Sequence, residues 1–306
     1  MKKLLALLAA LTLCTAPLAA VAETVVASFY PIYLFARSLT EGIDGVEVRS
    51  LADQGTGCLH DYQLQTGDMK ALAVADVFLI NGAGMESYLS HVTGAFPALP
   101  VVDASVGVTL LGEDDLPVCV SGEEHDHDHD HAHAVNAHVW LDVRNAIIMV
   151  SNLCEGLAQA MPDHRAALEA NRDAYVARLT ALDEELRAGL ANLPRRDIVT
   201  FHEAFPYFAK AYGLNVAAVV NQEPGDSLSP AALSGLIRLV MALGTPPLFT
   251  EPQYEDMAAR TIARETGAQV YVLDPIVTGP IDDAVLTCYE DVMRANMRIL
   301  LDALGE

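Results

Sequence analysis

The chain has 306 residues, 52% of them hydrophobic, which is enough to bury sizeable cores and about the length of two ordinary lobes rather than of a disordered polymer. Its formal net charge of −23 argues against nucleic acid and anionic lipid surfaces as partners and makes cations the natural ones.

At the start, Lys2 and Lys3 precede an apolar run over 4–13, and Ala20-Val21-Ala22 supplies the small-x-small pattern at which signal peptides are cut. Residues 1–22 therefore read as a signal peptide, with the mature chain beginning at Glu23 and two units more negative once both lysines leave. The run is too short for a permanent span, and no later segment approaches the ~18 unbroken apolar residues that one needs. Cys14 raises lipid attachment at the end of the signal peptide, but Leu13 before it is not the small residue that such a site has.

Short β-rich runs at 25–32, 46–51, 77–81 and 101–104 alternate with helical stretches, and the pattern returns at 197–201, 216–221, 247–251 and 270–273. Such alternation predicts two α/β lobes, each a parallel sheet covered by helices: an N-terminal lobe over 23–160 and a C-terminal lobe over 195–306. Between them, over 161–194, Leu168, Tyr175, Leu179, Leu182, Leu186, Leu190 and Leu193 recur on one face, predicting a long rigid helix that joins the lobes. Asp163 is a plausible N-cap and Pro194 a stop, which would make a rod of roughly 45 Å at 1.5 Å per residue. The stripe covers only about four heptads, so core packing is expected rather than a dimer seam, and the chain is expected to be a monomer. A closing amphipathic helix is expected over 282–304.

Beyond Cys14 the thiols are Cys58, Cys119, Cys154 and Cys288. In an oxidising compartment they permit two disulfides in three possible pairings, among which spacing does not choose. Cys58 precedes His60 by two positions, which also raises a metal role, although no C-x-x-C partner supports one.

The most biased stretch, 123–133, reads EEHDHDHDHAH, with His125, His127, His129, His131 and His133 alternating with Asp126, Asp128 and Asp130. Imidazole alternating with carboxylate cannot build a core, so a mobile loop that contacts divalent transition metals is expected. A flexible site loses chain entropy on binding, which makes the loop an accessory collector. Elsewhere, His60, His138 and His202 stand in loops beyond strand ends, where open parallel sheets place their binding residues. Asp274 ends the run 270–273 and could add a hard oxygen to three imidazoles, giving a four-coordinate N₃O site. His91 and His164 lack that placement and read as surface residues.

Five motifs in this order carry a resemblance: His60-Asp61-Tyr62-Gln63 with Gly67-Asp68-Met69, His138-Val139-Trp140-Leu141-Asp142, His202-Glu203-Ala204-Phe205-Pro206-Tyr207-Phe208, Phe249-Thr250-Glu251-Pro252-Gln253-Tyr254, and Asp274-Pro275. Over nearly the whole mature chain it resembles the substrate-binding proteins of zinc and manganese ABC transporters, in particular the zinc (ZnuA-like) branch. The resemblance implies two α/β lobes joined by a rigid helix and one Zn²⁺ between them, held by His60, His138, His202 and Asp274. It also implies an ABC permease and its ATPase as partners and a periplasmic or cell-surface location. At the third position the manganese branch typically has glutamate, whereas here His202 favours zinc. Leu64-Gln65-Thr66-Gly67 departs from the proline- and serine-rich sequence that often follows the first histidine, and Cys58 is not general in the branch. Glu251 matches a family position near the cleft; orienting a ligand imidazole and sitting at a helix N-terminus are both open for it.

A secreted zinc hydrolase would also use three histidines, but no H-E-x-x-H or G-x-S-x-G occurs, and His202-Glu203 continues into Ala204-Phe205-Pro206. The chain is therefore expected not to be an enzyme. A manganese receptor and a metal-dependent surface adhesin of the same fold remain as alternatives.

Overall fold

The computed structural model describes residues 22–52, 59, 62–112, 115–117, 135–220, 229–253 and 256–305. Residues 1–21 of the signal peptide with Cys14, together with Cys58, His60, Asp61, Cys119, the 123–133 stretch, Asn221 and Tyr254, lie outside the described residues. Two four-stranded, wholly parallel sheets form the frame.

In the first, β1 (Glu23–Ala27) is flanked by β2 (Val46–Ser50) and β3 (Val77–Ile80), with β4 (Val101–Asp103) beyond β3. The central strand β3 is buried at every position because helices cover both faces of the sheet. The edge strand β2 instead alternates, turning Glu47 and Arg49 to solvent. The apolar run from Val25 does not continue as a strand to Ile32: the strand stops at Ala27 and α1 (Tyr30–Leu39) begins with Pro31 in its first turn. Apolar runs alone do not separate a buried strand from a buried helix, and proline pre-sets the helical φ.

The second sheet repeats the plan, with β5 (Asp197–Thr200) between β6 (Asn215–Val219) and β7 (Leu248–Thr250) and with β8 (Val270–Val272) outside β7. Its helices α6 (Pro206–Tyr212) and α8 (Met257–Thr266) end at Gly213 and Gly267, whose φ of 71° and 79° close the last turn in the left-handed region. In both sheets the chain leaves the first strand to opposite sides, so each has a topological switch point that opens a crevice at the carboxyl ends of its strands.

The lobes are joined by α5 (Arg165–Leu190), 26 residues or about 39 Å long. It starts after a 3₁₀ turn (Pro162–His164) that takes up Asp163, so Asp163 does not cap it. Leu168, Tyr175, Leu179, Leu182, Leu186 and Leu190 are all buried, each worth about 1.5–3 kcal/mol. They pack against α1, α4 (Val143–Ala160) and α9 (Val285–Leu304). The joining helix is therefore a wall of a core that runs from the first lobe into the second, with a smaller core among β5, β7, α7 (Pro230–Ala242) and α8.

Cys154 in α4 and Cys288 in α9 are buried free thiols, so the two-disulfide expectation is corrected. Each acts as a small apolar side chain, and burial pushes both thiols above their ordinary pKa. Among the described residues no helix is long and apolar enough to cross a membrane.

Candidate metal centre

His138 sits on a strip of backbone laced between the lobes. From the first lobe, Asn81 Nδ2 donates to the Ala137 carbonyl at 3.0 Å, and the Asn136 N–H donates to the Leu111 carbonyl at 3.0 Å. From the second, Tyr207 Oη donates to the Asn136 carbonyl at 2.9 Å and itself accepts the Leu111 N–H at 2.9 Å. Past His138 the chain makes a 3₁₀ turn (Val139–Leu141) and enters α4, where Asp142 accepts the Arg144 N–H as N-cap. Within that turn Trp140 Nε1 donates to the Pro275 carbonyl at 2.8 Å, and Tyr289 Oη donates to the Trp140 carbonyl at 2.6 Å.

His202 follows β5 and precedes α6. Its Nε2 lies 3.2 Å from His138 Nε2, with the rings edge-to-face at 80° and their centroids 5.1 Å apart. Both side chains are buried, at 2% and 3% exposure. A tetrahedral zinc ion with bonds of about 2.0–2.1 Å separates its ligand nitrogens by about 3.3 Å, so two imidazoles from different lobes stand at the spacing such an ion imposes.

The Asp274 backbone is clamped by Asn296, which accepts its N–H at 3.0 Å and donates to its carbonyl at 2.8 Å. Asp274 Oδ1 accepts the Ile276 N–H at 2.7 Å. Burial pushes this carboxyl above its ordinary pKa against that bond, and burial does the same to Glu203 beside His202. Among the described residues no three His, Cys, Asp or Glu side chains are grouped so that they could hold a metal ion. The structure thus pairs His138 with His202 and does not bring Asp274 into a trio with them, while His60 lies outside the described residues.

Glu251 is buried at the end of β7, and α8 begins only at Met257, so it is not a helix N-terminal carboxylate. The β5–β7 register pairs Thr200 with Phe249; continued two residues, it sets Glu251 opposite His202. His91 is exposed on α3 (Leu89–Ala95), and His164 Nε2 pairs with Glu23 Oε2 at 3.1 Å. Ile276 holds φ 63°, a costly conformation for a β-branched residue, next to the carbonyl that Trp140 grips. The sequence does not single out Asn136, although its side-chain oxygen stands 3.2 Å from Nδ1 of the His138 ring. A polar residue two positions before a candidate ligand was the available signal.

The family model of the periplasmic component A of zinc-uptake complexes, ZnuA, matches residues 25–303. The zinc-binding protein AdcA of Streptococcus pyogenes serotype M6 is 30% identical over 92% of this chain and 56% of its own length. This chain thus spans about half the length of the streptococcal relatives that it matches. The high-affinity zinc uptake system protein ZnuA of Brucella suis biovar 1 is 26% identical over 96% of this chain and 95% of its own. Among solved structures, FpvC from Pseudomonas aeruginosa in complex with Mn²⁺ superposes with a TM-score of 0.79 at 26% identity, covering 93% of this chain and 99% of that one.

Proposed function

This chain belongs to the ZnuA family of periplasmic zinc-uptake components, and from that premise we propose that it is a solute-binding receptor, acting outside the cytoplasm, that captures Zn²⁺ between its lobes and delivers it to an ABC-type importer. The observation that carries this reading is the buried His138–His202 pair at 3.2 Å. His60 and Asp274 are proposed to complete the set as N₃O. Glu251 is proposed to orient the His202 ring from the neighbouring strand end. The family is one of metal-binding receptors rather than of enzymes.

With both rings neutral and metal-free, the hydrogen between the two Nε2 atoms belongs to one ring, and for both nitrogens to hold zinc it would move to the Nδ1 of that ring. Neutral imidazoles are required, so affinity falls as pH drops through about 6.5 and binding releases protons below it. The permease and its ATPase are the proposed partners, the chain is proposed to act as a monomer, and the 123–133 stretch is proposed to collect metal for the cleft.

Manganese is the second reading, favoured by the likeness to FpvC in complex with Mn²⁺. Imidazole at His202 weighs for zinc, because oxygen-rich sets suit manganese. Competitive calorimetric titration with Zn²⁺ and Mn²⁺ decides between them, run on the wild type, on a variant lacking 123–133 and on His202→Ala. One tight Zn²⁺ site that survives loop deletion and disappears in His202→Ala is expected. Tight binding that follows the loop and ignores His202 would overturn the cleft receptor.

A further inference from the structure

Asn136 is 5% exposed and meets both lobes through one carboxamide. Its orientation follows from its partners: Nδ2 donates to the Glu203 carbonyl at 2.8 Å, which turns Oδ1 to His138. There Oδ1 accepts the His138 backbone N–H at 2.9 Å and stands 3.2 Å from ring Nδ1. An amide oxygen only accepts, so a ring nitrogen at that distance must carry the hydrogen. His138 is then held as the Nδ1–H tautomer, and its Nε2 lone pair points at His202. The other end of the same amide grips the backbone of the residue that follows His202.

We propose that Asn136 is the positioning residue of the cleft: it selects the His138 tautomer that can bind a divalent cation through Nε2, and it ties the setting of that ring to the His202 segment. The inference rests on the reading of His138 as a metal ligand. Its purely structural rival is that Asn136 only helps to hold the lobes together. Tyr207 offers the contrast, because its hydroxyl bonds the Asn136 backbone carbonyl from the second lobe without touching the ring.

Two readouts test it on the wild type, Asn136→Ala, Asn136→Asp and Tyr207→Phe: the ¹⁵N shifts of the His138 ring in metal-free protein near neutral pH, and the Zn²⁺ dissociation constant by competition. The wild type should show a protonated Nδ1 and a bare Nε2. Asn136→Ala should lose that preference and bind zinc about 10–100-fold more weakly. Asn136→Asp keeps an acceptor oxygen and should keep the tautomer, as should Tyr207→Phe. Unchanged ring shifts in Asn136→Ala, or wild-type zinc affinity in that variant, overturn the proposal. Should Asn136→Ala fail to fold, a ring that switches to Nε2–H in Asn136→Asp overturns it as well. Wild-type affinity in His138→Ala would instead sink the metal reading, while the metal-free ring shifts would still decide whether Asn136 sets the tautomer.

Discussion

Glu86 shows at the scale of one residue how the fold sets chemistry that spacing does not announce. Its carboxylate accepts the N–H groups of Asn81 at 2.8 Å and Gly82 at 3.1 Å, at 6% exposure, beside Ser28 and close to Tyr88. Burial pushes its pKa from 4.5 up to about 7, against the opposing hydrogen bonds from Ser28, Asn81 and Gly82. Between those two values the folded state binds more protons than the unfolded one, so stability is full below about 4.5 and is lost as pH rises towards about 7. Thermal melts of Glu86→Gln across that interval should therefore show a shallower loss than the wild type; identical slopes would assign the pH dependence to other groups. The His pair is the complementary case. Residue type and loop position mark His138 and His202 as candidates in the sequence, but their 3.2 Å approach and the tautomer enforced by Asn136 arise only when segments far apart in the chain meet.

At the scale of elements, α5 is legible in part. Its leucine spacing predicts the buried face, because a helix needs only a periodic stripe to declare which side is covered. What covers it is not periodic: beside its chain neighbour α4, α1 and α9 come from opposite ends of the chain. Within that helix Asp183 is buried and accepts from Arg187 Nε at 2.9 Å, from Arg144 Nε at 2.9 Å and from Tyr212 Oη at 3.2 Å. Burial raises its pKa, but the bonds from Arg187 and Arg144 outweigh it and leave the carboxyl below its ordinary value. A depressed carboxylate contributes stability that is present above the unfolded pKa near 3.9 and lost as pH falls through the folded one. Asp183→Asn should cost about 1–3 kcal/mol in urea unfolding at neutral pH, and the penalty should shrink below about pH 4. An undiminished penalty in acid would show that packing, not charge, holds the site.

On the scale of the whole molecule, the lobes are tied by hydrogen bonds between segments far apart in the chain. Trp140 reaches Pro275, Tyr30 Oη donates to the Pro280 carbonyl at 2.9 Å and Tyr33 Oη donates to the Ile281 carbonyl at 3.2 Å. Gly279 passes so close to the Tyr30 ring that a Cβ there would collide with it. Trp140 is the single tryptophan, and its ring centroid is 5.2 Å from that of His138. Zinc titration should therefore change its emission with the stoichiometry of the cleft site; a flat trace over a range where calorimetry records binding would contradict a metal at His138. Trp140→Phe leaves the buried Pro275 carbonyl without its donor and should lower stability by about 1–3 kcal/mol, read as a lower melting temperature.

By itself the sequence determined the class and the cast: βα alternation with buried valine runs requires two parallel sheets, a one-sided leucine stripe requires a packed helix, and histidines beyond strand ends mark where a cation could be met. Those signals are local and periodic, so they survive without coordinates. Only the tertiary structure decided that Pro31 ends the first strand's run by opening a helix, that Cys154 and Cys288 are free core thiols, that α5 is walled in by three helices, and that His138 and His202 meet across the lobes under the hold of Asn136. Apart from the local turn at Pro31, these depend on which segments share space, and contact between segments leaves no period in the chain.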